Sequence, residues 1–236
     1  MKALVLLLAT LSLLPAAEPR RGPKQKLFNG KNLDGFYVYL RDRPVNSDPN
    51  RVIRVEKGEI HVSGVEYGYF CTKQEYENYF LRVDFRWGRE THPPRENKAR
   101  DSGILFHTSG KDMIWPRSIE FQMIEGGTGD IIFVGGSTAE ATASTGELWG
   151  KNRYKRLGKG DWKDVAGWRD PKGELEKPLR DWNKLELWAE GDRFRYFVNG
   201  KLANEGVRAS DRRGRILFQS EGAELYFRNI VLRPLR

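Results

Sequence analysis

Runs in which apolar and polar residues alternate one for one dominate the chain from Leu27 onward. A period of two is the mark of a strand with one buried face, because successive side chains point to opposite sides. The cleanest run is Tyr79 to Trp87, with Tyr79, Leu81, Val83, Phe85 and Trp87 on one side and Arg82, Asp84 and Arg86 on the other. Val52 to Val55 and Ile60 to Val62 flank a Lys57-Gly58 turn and read as a hairpin. Trp182 to Glu190 alternates, as does Arg193 to Val198, and Asn199-Gly200 turns the chain into Lys201-Leu202. Arg215 to Gln219 and Glu224 to Leu232 make the last two strands. No helical period is sustained beyond the first residues. The pattern predicts an all-β chain, with turn signals at the spacing of a sandwich.

The stretch from Asp101 to Gly136 differs from the rest, because its strands carry chemistry on one face. In Ile104 to Thr108, Leu105 and His107 share a side; in Ile119 to Ile124, Glu120 and Gln122 do. Pairing of these two strands across the Gly110 to Pro116 connection would bring His107, Glu120 and Gln122 to one surface. A slip of one residue would undo that register.

The ends and the composition narrow the setting. Met1-Lys2, the apolar run ALVLLLATLSLL and Pro15-Ala16-Ala17 read as a secretory signal peptide over residues 1–17, so export to the periplasm or beyond is expected. The run is too short for a transmembrane helix, which needs about 20 apolar residues. Residues 18–26 are polar, basic and bear two prolines, and they read as a leader without fixed structure. Residues 27–236 then form one domain, interrupted by a basic, tryptophan-bearing segment of no clear period at about 150–178. Cys71 is the only cysteine, so no internal disulfide forms. The formal charge of +9 suits anionic polysaccharide, phospholipid or nucleic acid, the last made least suitable by export; a merely solvated basic surface is the ordinary alternative. The oligomeric state is left open.

Five segments recur together in one known family: LFNGKNLDGF, DSGILFHTSG, SIEFQMIEGG, DWNKLELWAEGDRFRYFVNGKL and GRILFQSEGAELYFRNIVLRPL. In that order they resemble the bacterial family called DUF1080, the 3-keto-α-glucoside-1,2-lyase/3-keto-2-hydroxy-glucal hydratase domain. The resemblance spans roughly Leu27 to Pro234. It implies a concanavalin A-like jelly roll of two antiparallel sheets and action on sugars oxidised at carbon 3, with net hydrolysis of the glycosidic bond. Two departures stand out. Many members have arginine where this chain has His107, and Asp-His-Gly where it has Ser220-Glu221-Gly222.

The implied reaction needs a base for the C2 proton, a stabiliser for the enediolate and an acid for the leaving oxygen. Glu120 is the expected base, His107 a proton donor or ligand, and Arg117 the fork of donors that holds an enediolate oxygen. Gln122, Asp101, Ser102, Trp115, Glu125, Trp149, Trp168, Gln219 and Glu221 are the expected substrate contacts, with Glu221 in the place of the absent histidine. Trp162 joins the tryptophans that could wall the cleft or simply anchor the long loop. Glu125 and Asp130 are weak candidates for a divalent cation, because their spacing matches no calcium loop and a plain turn is the favoured reading. For each of these residues a purely structural role is the alternative. With only His61, His92 and His107, a multi-histidine zinc site is not expected. The leading reading is therefore an exported 3-keto-glycoside lyase and hydratase, and the alternative is a non-catalytic carbohydrate-binding module on the same fold.

Overall fold

The computed structural model describes residues 19–143 and 152–236. The residues read as a signal peptide, and Trp149, lie outside these. The described residues form strands and no helix, and no helix long and apolar enough to cross a membrane occurs among them. In chain order the strands are β1 (Gln25–Lys26), β2 (Phe36–Leu40), β3 (Ile53–Glu56), β4 (Glu59–Val62), β5 (Gly68–Thr72), β6 (Tyr79–Thr91), β7 (Asp101–Thr108) and β8 (Ser118–Ile124). There follow β9 (Ile131–Val134), β10 (Glu140–Ala141), β11 (Arg153–Tyr154), β12 (Asn183–Glu190), β13 (Arg193–Val198), β14 (Lys201–Val207), β15 (Arg215–Ser220) and β16 (Ala223–Pro234).

All pairings are antiparallel, and they make two sheets. One runs β10-β14-β13-β12-β6-β16-β4-β3, with β1 also on β16; the other runs β11-β9-β8-β7-β15-β5-β2. This is the all-β jelly-roll sandwich that the alternating pattern and the family resemblance predict.

The inward residues of the alternating runs make the core. Tyr79, Leu81, Val83, Phe85 and Trp87 of β6 meet Ile104, Phe106, Ile119, Phe121 and Met123 of the other sheet. Each fully buried side chain of this kind contributes about 1.5–3 kcal/mol. Phe121 stacks on Tyr196 at 4.2 Å between ring centres, and the Tyr196 hydroxyl donates to the backbone carbonyl of Glu120 at 3.2 Å. The core thus fixes β8 from beneath, and its outward side chains inherit that rigidity.

The leader departs from expectation. Instead of lacking structure, residues 20–26 run antiparallel to the C-terminal strand: Gln25 pairs with Leu232, Arg21 bridges to Leu235, and Gly22 N donates to the Pro234 carbonyl at 2.7 Å. β4 pairs only with Leu225 to Phe227 of β16, so the C-terminal part of that strand offers backbone partners that composition alone does not reveal. The long segment after β11 has little regular structure, as its missing period predicts, yet it is tied down by buried charge. Lys159 meets Asp130 at 2.7 Å, Arg156 meets Asp170 at 3.2 Å, and the Trp162 indole donates to the Glu125 carbonyl at 3.0 Å.

Candidate active site

Alternation places Asp101, Gly103 and Leu105 of β7 on the outer face of the seven-stranded sheet. The register Gly103↔Gln122 and Leu105↔Glu120 sets Glu120 and Gln122 beside them. On the other flank β15 contributes Gln219, which neighbours Tyr69 of β5. Gly103 is what lets these side chains meet: a Cβ there would overlap both Glu120 Oε1 and Gln219 Oε1. Glu120, Gln122, Asp101 and Gln219 are all buried.

Three carboxyls share this patch. Burial pushes Glu120 up to about 8, and the Asp101 charge adds to the shift while Arg153 opposes it. Asp101 is raised by its own burial, against the pull of Arg95, Arg153 and a 2.7 Å hydrogen bond from Gln122 Nε2. Glu221, in the turn between β15 and β16, is raised by burial and by Asp101 and Glu120. Like charges this close cannot all ionise cheaply, so the group holds protons at neutral pH. Among the described residues the buried Gln219 Oε1 has no hydrogen-bond partner. A buried carboxyl of raised pKa on the same patch as an orphaned amide oxygen is a polar site built for something other than packing.

Aromatic rings flank the carboxyls. Tyr39 lies 5.2 Å from Tyr69, and Trp115 lies 6.3 Å from Tyr67. Asp112 accepts from the hydroxyls of Tyr37 at 2.6 Å and Tyr69 at 2.7 Å, and the Tyr69 ring lies 6.5 Å from that of Trp115. The Tyr67 hydroxyl is raised by burial and then by Glu221 and Asp101, which places it at the carboxyl patch. Tyr39, Tyr67 and Trp115 are half-buried and present ring faces of the kind that pack on sugars. Tyr67 and Tyr69 were not singled out from the sequence, nor was Tyr39. Their i, i+2 spacing was the signal that could have found them. Arg95 and Arg153 gave no such signal, because they come from a polar loop and a two-residue strand.

Several expected site residues lie elsewhere. His107 does not face Glu120. Between β7 and β15 the register shifts, so that Phe106 and His107 together oppose Ile216, and His107 takes φ 53°. This bulge turns the imidazole toward Tyr79 and Phe106, where Nδ1 lies 2.8 Å from the Asp211 carbonyl oxygen. Burial lowers its pKa to about 4, so it is neutral and structural. Arg117 is also spent on Asp211, by a bidentate pair at 2.8 and 3.0 Å beyond the end of β8. Ser102 is fully buried on the core side of β7 and donates to the Gln219 carbonyl at 3.0 Å.

Glu125 is held by Arg100 through two 2.8 Å contacts and by Gly167 N, so it anchors the long loop rather than a substrate. Asp130 is equally committed, to Lys159 and Arg153. These two acids, proposed from sequence as cation ligands, are therefore each paired with basic side chains. Among the described residues no group of three or more His, Cys, Asp or Glu side chains is placed to hold a metal ion. Trp168 packs on Gly126 beneath the Lys163 ammonium, and Trp162 packs under Lys159; both anchor the loop. Of the four residues expected to converge, Glu120 and Gln122 do, and His107 and Arg117 do not.

The fold has solved counterparts. A Parabacteroides distasonis protein proposed to be a glycosyl hydrolase superposes with a TM-score of 0.58 at 18% identity, covering 90% of this chain and 94% of that one. A laminarinase from Flavobacterium sp. UMI-01 gives 0.53 at 11% identity, covering 91% and 100%. A β-glucanase of Bacillus licheniformis gives 0.51 at 12%, covering 89% and 97%. At such identities the likeness is one of fold alone, a β-sandwich of two antiparallel sheets. No curated protein matches the sequence. The sequence itself matches the 3-keto-alpha-glucoside-1,2-lyase-like domain over residues 23–233. The carboxyl patch therefore stands within the matched region, and the chain belongs to the 3-keto-alpha-glucoside-1,2-lyase-like domain family.

Proposed function

We propose that the protein cleaves 3-keto-glycosides by elimination followed by hydration. The observation that carries this is Glu120: a buried carboxyl raised to about 8, on one patch with two further carboxyls and two arginines. A ketone at C3 acidifies the C2 proton. The ionised Glu120 takes that proton, the C–H electron pair becomes the C1–C2 double bond, and the C1–O bond breaks. The raised pKa makes Glu120 a stronger base than an ordinary carboxylate and keeps the proton available for the departing oxygen. Arg95 and Arg153 supply positive charge near the enediolate, and Gln122, oriented by Asp101, binds a hydroxyl. Water then adds across the double bond, hydroxyl to C1 and proton to C2, giving net hydrolysis. This differs from a glycosidase that uses paired carboxylates at an oxocarbenium-like transition state.

The test is incubation of the protein with matched 3-keto-glycosides and their unoxidised parents in deuterium oxide, with products followed by mass spectrometry. Release from the oxidised substrates alone, with deuterium at C2 and loss in Glu120→Gln, is expected. A chelator arm reports whether a divalent ion contributes. Cleavage of the parents without C2 exchange would replace this reading with ordinary glycoside hydrolysis. Binding without turnover would replace it with a carbohydrate-binding module.

A further inference from the structure

The opposite face of the sandwich carries a second feature of contrasting charge. On the outer side of the nine-stranded sheet the leader and the strands beneath it enclose a groove of about 780 Å³. Arg20, Arg21, Lys24, Arg82 and Arg233 line it, against the single carboxylate of Glu186. The groove is built by the pairing of the leader with β16, which carries Arg20 to Lys24 over the outward residues of β6. Arg233 Nη1 donates to the Gly22 carbonyl at 3.3 Å, and the Arg21 guanidinium lies 4.8 Å from the Phe80 ring centre and 5.1 Å from that of Trp188. Asp84, the nearest other acid on β6, is taken up by Asn229 at 2.7 Å, by Arg82 at 3.4 Å and by Arg228 at 3.8 Å. The groove therefore keeps an excess of cationic forks that its own acids do not neutralise.

We propose that this groove binds an acidic polysaccharide, one carrying carboxylate or sulfate groups, independently of the carboxyl site on the other face. Planar guanidinium forks match both oxyanions by paired hydrogen bonds, and several cations along one groove suit a repeating anion better than a single small one. Nucleic acid fits less well, because Phe80 and Trp188 are covered by Arg21 and leave no bare ring for a base to stack on. Since the two sites lie on opposite faces, polymer and substrate can be held together. The groove would tether the enzyme to an acidic matrix while the carboxyl patch works on its substrate.

Affinity electrophoresis of the full protein through gels containing polygalacturonate, dextran sulfate or neutral dextran tests this. Retardation by one or both acidic polymers but not by dextran is expected, and the two acidic gels separate carboxylate from sulfate preference. Arg20→Gln/Lys24→Gln changes two exposed leader residues and spares the core. It should lessen retardation several-fold and flatten the dependence of log affinity on log salt by roughly 0.7 per cation removed. Lys57→Gln/Lys201→Gln, the same charge change at two exposed positions outside the groove, should leave retardation unaltered. Equal weakening by both pairs would reduce the effect to overall charge and overturn the proposal, as would no retardation at all. Preferential binding to phosphatidylglycerol vesicles or to single-stranded DNA over the acidic polysaccharides would also overturn it. Turnover of a 3-keto-glycoside should be the same in all variants, so failure here is separable from failure of the catalytic reading.

Discussion

Glu120 and Gln219 come from strands on either side of β7, and the Oε1 atom of each lies 2.4 Å from the point where a Cβ on Gly103 would stand. The absence of a side chain at that one position makes room for both polar ends on the patch.

Gly103→Ala should therefore damage catalysis more than folding. The displaced atoms are side-chain ends, so the stability cost stays about 1–2 kcal/mol. Displacement of the carboxyl by about 1 Å should lower kcat on the order of 100-fold. Parallel thermal melts and steady-state kinetics on a 3-keto-glycoside measure both.

If ionised Glu120 is the base, kcat/KM should rise with pH and level off above about 8. Glu120→Gln should cut turnover by about 10² to 10⁴ and remove that limb of the profile. A pH–rate profile of both forms decides it. A profile falling through pH 8 would instead make Glu120 the acid.

The same carboxyl makes stability fall with pH. Its folded pKa of about 8 stands above the ordinary value of 4.5, so the native state holds a proton that the unfolded chain releases between those pH values. Stability is thus lost progressively from about pH 4.5 to 8. Glu120→Gln should relieve this, raising the melting temperature relative to the parent protein at pH 8 but little at pH 4.5. Denaturant unfolding at the two pH values should show a difference of a few kcal/mol.

His107 titrates the opposite way. Burial lowers its pKa from 6.5 to about 4, so the unfolded state binds the extra proton and stability is lost as pH falls from about 6.5 to 4. His107→Asn keeps a residue type that tolerates positive φ and should lessen the acid lability while leaving kcat/KM unchanged. Loss of activity in a folded His107→Asn protein would restore a catalytic role for this residue.

Arg100 and Glu125 form a buried pair, each side chain only 7% exposed. Glu125→Gln leaves the guanidinium without its counter-charge, and about 3–5 kcal/mol of stability should go with it. Because Gly167 N also bonds to this carboxylate, limited proteolysis should open the segment around residues 160–170 first.

The sequence alone determined much of this. Period-two alternation named the inward set of β6 and the outward pair Glu120 and Gln122, because a pleated strand leaves no choice of face once one side is apolar. Five ordered segments were enough to assign the family. The tertiary structure decided the rest, because the deciding contacts are long-range or break the period. A single bulged residue turned His107 away from the face that strict alternation gave it. Asp211, about a hundred residues downstream, engages both His107 and Arg117. Arg100 and Lys159 claimed the acids that composition offered to a cation. The part of β16 that β4 leaves uncovered ordered a leader whose own residues carry no strand pattern. Local spacing fixes which side of a strand a residue takes. Only the folded chain fixes which distant charge, ring or strand edge meets it there.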